Sequence, residues 1–158
     1  LAEVGAGLLG SSPRLFTYTS GKSSTTRDDC SSNEMAGRSK NLHIAINKRL
    51  TSSTSAAEIL SIYQHDGRDF NEVNLATAIH RISKNGASQR SDEKDPHLRA
   101  LIEQVTLSVA HGGWKSRELS NACWAVAKLK LVEPTLFKAI AVEAQAQMQH
   151  FKPQELSN

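Results

Sequence analysis

The chain is poor in the residues that carry covalent or metal chemistry. It has only two cysteines, Cys30 in a polar stretch and Cys123 among apolar residues at helical spacing. Two thiols in such unlike settings exclude a disulfide framework and fit a reducing interior. The six histidines, His43, His65, His80, His97, His111 and His150, never fall into a spacing that would bind zinc with a cysteine or with one another. No glycine-rich loop is present to cradle a phosphate. No metal and no other cofactor is therefore expected. No run approaches the roughly 18 apolar residues that a membrane span requires, so a soluble chain is expected. A strong charge of one sign is also missing: 19 Lys and Arg against 16 Asp and Glu give a net charge of +3. That balance permits a polyanionic partner without demanding one.

Strand-like alternation is absent as well, and helical signals fill most of the remaining sequence. Residues 1–41 are the exception, being rich in Ser, Thr and Gly with little periodic hydrophobicity. They are expected to be a disordered tail, because such a composition cannot offset its ordering entropy by burial. The first 26 residues hold one acid, Glu3, and this composition is open to two readings, a transit-peptide remnant or a Ser-rich linker.

From Asn41 a helix is expected over 42–50, with Leu42, Ile44 and Ile46 as contacts. Ser55 and Glu58 have capping-box spacing and open a second helix, to about Gln64, with Ile59, Leu60, Ile62 and Tyr63 on its buried side. Asn71 caps a helix over 72–84, and Asn85-Gly86 closes it. A polar loop follows over 87–95. Asp95-Pro96 opens a helix to about Ala110 that buries Leu98, Leu101, Ile102, Val105 and Val109, with Gly112-Gly113 as its stop. Ser116 is expected to cap a helix to about Lys130. Glu133-Pro134 opens another, to about Gln149, with Leu136, Ile140 and Val142 apolar, and Pro153 opens the last.

Two of these helices share a pattern. Phe70, Leu75, Thr77, Ala78, Ile79, His80, Ile82 and Lys84 align without gaps on Trp114, Leu119, Asn121, Ala122, Cys123, Trp124, Val126 and Lys128. Phe151 to Asn158 begins the pattern a third time, and Leu-Ser-Asn of 119–121 returns verbatim at 156–158. The intervals, from 70 to 114 and from 114 to 151, are 44 and 37 residues. Periods of this size point to helical repeats, in which each unit buries its apolar face only by stacking on its neighbours. The expected fold is therefore all-α, an α-α superhelix or solenoid of stacked helical hairpins over 42–158 behind the tail. Because the chain stops inside the third copy, a fragment of a longer array is expected, with apolar surface exposed on its last helix. Small residues at 76, 83, 120 and 127 are expected to let helices approach closely.

These strings, and Leu-Ser-Asn-Ala-Cys-Trp-Ala above all, resemble the repeats of octotricopeptide-repeat proteins. They are similar also to the helical arrays of FASTK/RAP-type proteins and of RNA-editing substrate-binding complexes. The resemblance covers about residues 42–158. It implies a non-catalytic α-solenoid that binds single-stranded RNA in a mitochondrion or chloroplast, in RNA processing, stability, editing or translation, alone or with other proteins of an RNA-processing complex. The first copy departs from the pattern at Thr77 and His80, where the family-like string has Asn and Trp.

At about 100° per residue, Ala78, Ile79 and Ile82 cluster with Leu75 on one side of the repeated helix, and Thr77, His80 and Lys84 lie on the other. Asn121, Trp124 and Lys128 recur there. An amide or hydroxyl, a flat ring and an ammonium are what single-stranded RNA recognition uses, for base edges, stacking and phosphates respectively. Thr77, Arg81, Lys84, Asn121, Trp124 and Lys128 are thus the candidate RNA-binding residues, with Lys115 and Arg117 as weaker ones. Solvated lysines, with Trp124 and Asn121 packed on the adjacent repeat, form the alternative. His80 beside Arg81 lacks the carboxylate or nucleophile an active site would need, and Cys123 reads as a small core residue. A protein-protein interaction scaffold on the same solenoid is the competing functional reading, and the weak charge favours it.

Overall fold

The computed structural model describes residues 28–85 and 95–157, with side chains from residue 37. Those residues form seven α-helices: α1 Asp28–Ser52, α2 Ala56–Asp66, α3 Glu72–Lys84, α4 Pro96–His111, α5 Ser116–Lys128, α6 Pro134–Ala146 and α7 Pro153–Leu156. Short 3-10 turns precede α3 and α7, at Gly67–Asp69 and Met148–His150. Among the described residues there is no strand, and no helix is long and apolar enough to cross a membrane.

Most helix starts lie where local chemistry places them. The Ser55 hydroxyl accepts from the Glu58 N–H at 3.2 Å, and the Glu58 carboxylate accepts in return from the Thr54 N–H at 2.8 Å. Asn71 and Asn74 exchange side-chain and backbone bonds at the start of α3, at 3.0 and 3.3 Å. Asp95 accepts from the His97 N–H at 2.7 Å, with Pro96 as the first helical residue. Each such cap satisfies a backbone donor that the helix itself leaves free, worth about 1 kcal/mol. Between α4 and α5 the chain reverses through Gly112 and Gly113, at φ 85° and 88°, a region that a side chain would strain. The expected closure at Gly86 and most of the polar loop lie outside the described residues.

Several expectations need correction. The tail expected to be disordered to residue 41 is helical over 28–41, because α1 begins at Asp28 rather than at Asn41. No proline interrupts this stretch. Extending an existing helix also costs far less than nucleating one. The expectation for 1–27 lies outside the described residues. Leu42 and Ile44 are exposed rather than packed: residues 37–42 all face solvent, and Ile44 lies about 200° around the helix from buried Ile46. Val142 is likewise exposed, two residues and about 200° from buried Ile140. Ser116 does not cap α5; Lys115 holds the cap position, and the Ser116 hydroxyl donates to Glu155 Oε2 at 2.9 Å. Helix α5 ends at Lys128 rather than Lys130, which has a positive φ of 58°. Helix α6 ends at Ala146, where a 3-10 turn takes over.

The helices pack in two rows. One runs α1, α3, α5, α7 and the other α2, α4, α6, each helix touching the next in its row. Cross-row contacts join α1 to α2, α2 to α3, α3 to α4 and α5 to α6, and the α3–α5 interface is the most extensive of all. The core lies between the rows. It takes Ile46 and Leu50 from α1, Ile59 from α2, Leu75, Ile79 and Ile82 from α3, and all five residues expected of α4, with Leu119, Val126, Leu136 and Ile140 completing it. Each such side chain contributes about 1.5–3 kcal/mol by leaving water. The aromatic that heads each repeated segment is built in with them. Phe70 and Trp114 are buried, and Phe151 is half-buried. Phe70 (φ −73°, ψ 128°) and Phe151 (φ −73°, ψ 130°) have the same backbone conformation, each at the end of its 3-10 turn. Leu156 of α7 is exposed, as expected for the last helix.

Candidate nucleic-acid interface

The outer face of the α3–α5 pair follows from its inner one. Ala76 and Ala78 on α3 and Ala122 and Ala125 on α5 are all buried, and side chains this small let two helix backbones approach closely. Ser83 and Ser120 are buried as expected, but Ala127 is exposed and serves no contact of this kind. Close approach brings the corresponding outward positions of the two copies together. The rings of His80 and Trp124 lie 5.0 Å apart, centroid to centroid, tilted by 42°. Lys128, one turn beyond Trp124 on α5, sets its Nζ 4.6 Å from the centre of the indole, a cation–π contact.

The surroundings of this pair are positive. Burial, chiefly, and then the charges of Lys84, Arg81, Lys128 and Arg117 push the His80 imidazole below its ordinary pKa. At neutral pH it is an uncharged ring, and every charged group that acts on it is a cation. Lys84, Lys128 and Arg117 are exposed, while Thr77, His80, Asn121 and Trp124 are half-buried. The face therefore presents rings backed by ammonium and guanidinium groups, with an amide and a hydroxyl on the same sides of their helices. Trp124 packs on the neighbouring copy and is half-buried.

Arg81 is a correction. Its Nη2 donates to the carbonyls of Thr51 and Ser53 at 2.6 and 2.9 Å, and its Nε is buried without a partner. The guanidinium thus closes the C-terminal end of α1 in place of facing a ligand. Lys115 is exposed at the cap of α5 and belongs to none of these contacts. Cys123 is half-buried, and burial raises its thiol pKa, so it is a poor nucleophile. Among the described residues no group of three His, Cys, Asp or Glu side chains comes together to hold a metal ion.

A second feature on this side was missed by the sequence reading. A groove between α1 and the start of α3 is lined by Lys40, Ile44, Asn47, Lys48, Thr51 and Val73, among others. Residues 40, 44, 47 and 51 have the same spacing as 73, 77, 80 and 84, and that spacing was the signal available. Comparison of the chain with protein-family models, with curated proteins and with solved structures finds no match.

Proposed function

We propose that this chain is a solenoid of helical hairpins that binds single-stranded RNA without acting on it chemically, in organellar RNA processing, stability, editing or translation. The row-wise contacts support the stacked-repeat reading, because α1, α3, α4, α5 and α6 each meet chiefly helices of their own row. The octotricopeptide-like strings support the RNA assignment and the organelle. The observation that carries the proposal is the His80–Trp124 pair with Lys84, Arg117 and Lys128 close enough to act on it. Flat rings give bases a surface to stack on, and the lysines neutralise phosphates. In this reading a base takes the place of the Lys128 ammonium over the indole, and the freed ammonium swings to the phosphate beside it.

The test is binding of a fluorescein-labelled single-stranded RNA 12-mer, followed by anisotropy across a range of salt. Affinity is expected to fall as salt rises, with a log–log slope of about −0.7 for each phosphate neutralised. Trp124 fluorescence should be quenched on binding and Trp124→Phe should lose that signal, since Trp114 is buried. Lys84→Glu with Lys128→Glu should weaken binding, and unchanged affinity would count against this face. The scaffold reading draws on a different observation, the exposed Leu107, Val132, Phe137, Val142 and Met148. A scaffold would bind RNA no better than a control protein of similar charge.

A further inference from the structure

We infer that the groove between α1 and the start of α3 holds one nucleotide of the same RNA strand, its base laid on Ile44 and Val73 and its phosphate held by Lys40 and Lys48. This rests on the RNA-binding reading of the α3–α5 face. Three observations argue for it. The first is charge: the groove's lining includes two lysines and no carboxylate. The second is its apolar wall. Ile44 and Val73 are 47% and 41% exposed within a polar surround, which gives the flat face of a base something to cover. An amide also stands there: Asn47 lines the groove, and its Oδ1 is shielded from water without a hydrogen-bond partner. Rotation about the last side-chain bond turns such an amide to a base edge at little cost, and a base edge supplies both donors and acceptors.

The third observation is continuity. Val73 precedes Thr77 by four residues and His80 by seven, so the α3 wall of the groove lies on the helix face that carries the ring pair. Helix α1 packs on α3 and α3 on α5, which puts groove and rings side by side along one row. A strand stacked at His80 and Trp124 is thereby led towards Lys40 and Lys48. An acidic peptide would meet the same ammonium groups, but it has no use for a pair of flat rings next to them.

The experiment compares the wild-type chain with Lys40→Gln/Lys48→Gln, Asn47→Leu and Trp124→Ala, using the 12-mer RNA over 0.05–1 M salt. Lys40 and Lys48 are exposed, so their variant keeps the fold, which circular dichroism checks. The double lysine variant is expected to lose about 1.4 from the log–log salt slope, roughly 0.7 per lysine, and on the order of tenfold in affinity at 0.1 M salt. Asn47→Leu is expected to weaken binding about fivefold, the loss of one hydrogen bond. If Trp124→Ala weakens binding while the lysine variant changes neither slope nor affinity, the groove assignment is overturned and the RNA-binding face stands. A wild-type chain without affinity overturns both. If poly-glutamate displaces the RNA as well as unlabelled RNA does, and loses its hold in the lysine variant, the groove takes a protein segment and the nucleotide assignment falls.

Discussion

His80 and Arg81 are neighbours in sequence with opposite tasks, because one step along a helix turns a side chain by about 100°. His80 meets Trp124, and Arg81 reaches back to the carbonyls at the end of α1. Replacing Arg81 by Ala takes the side-chain donor from the Thr51 carbonyl and leaves the Ser53 carbonyl with Asn85 Nδ2 at 3.3 Å, so a loss of about 1–3 kcal/mol is expected in urea denaturation. RNA affinity should change little once the variant is folded; a large drop without a stability change would return Arg81 to the binding face. The depressed pKa of His80 has its own consequence for pH. The unfolded chain takes up the imidazole proton at the ordinary histidine pKa, and the folded chain only at lower pH. Stability from this group is therefore complete above the ordinary value and lost as pH falls from there through the folded one. Thermal melts between pH 7.5 and 5 should show a falling Tm, with a shallower fall in His80→Gln; parallel curves for the two proteins would mean that His80 is not the group responsible.

At the scale of elements, the joint between α2 and α3 shows how a turn is held. Tyr63 donates to Gln104 Oε1 at 2.8 Å, and Gln104 Nε2 donates to the carbonyl of Gly67 at 2.9 Å, so α4 pins both sides of the joint. The Tyr63 ring lies so near Gly67 that an added Cβ would stand 2.8 Å from its Cε2. Tyr63 also meets Phe70 edge to face at 5.6 Å, which leaves its ring little freedom to retreat. Gly67→Ala is expected to cost about 1–3 kcal/mol through this overlap. Since φ at Gly67 is an ordinary −59°, backbone strain plays no part, and Gly67→Ala should cost less in a Tyr63→Ala background than in the wild-type chain. A neutral Gly67→Ala in chemical denaturation would show that the ring gives way. The partner across this joint, Gln104, lies 37 residues from Gly67 and left no local trace in the sequence.

For the whole molecule, α3 is the hub: it touches α1, α2, α4 and α5, while α6 contacts chiefly α4 and α5. Ile79 is fully buried in that hub. Ile79→Ala is expected to lose about 2–5 kcal/mol and to lower the midpoint of a single transition seen alike by circular dichroism and by fluorescence. Two transitions, with α5–α7 surviving the first, would show that the earlier and later helices come apart as independent pieces. The exposed side chains on α6 are no part of this core and should tolerate polar replacement with changes within about 0.5 kcal/mol.

Sequence alone determined the helical character, the limits of α3, the starts of α2, α4 and α6, and the buried stripe of α4, because caps, prolines and a 3.6-residue period are local chemistry. Tertiary structure decided the rest. It decided that Leu42, Ile44 and Val142 stay in water, and that Ser116 bonds Glu155 instead of its own helix. It also took Arg81 away from the candidate face and seated His80 against Trp124. For Ser116, Arg81 and His80 the deciding partner lies outside their own helix, and a helix's periodicity says which side it shows but not what stands opposite.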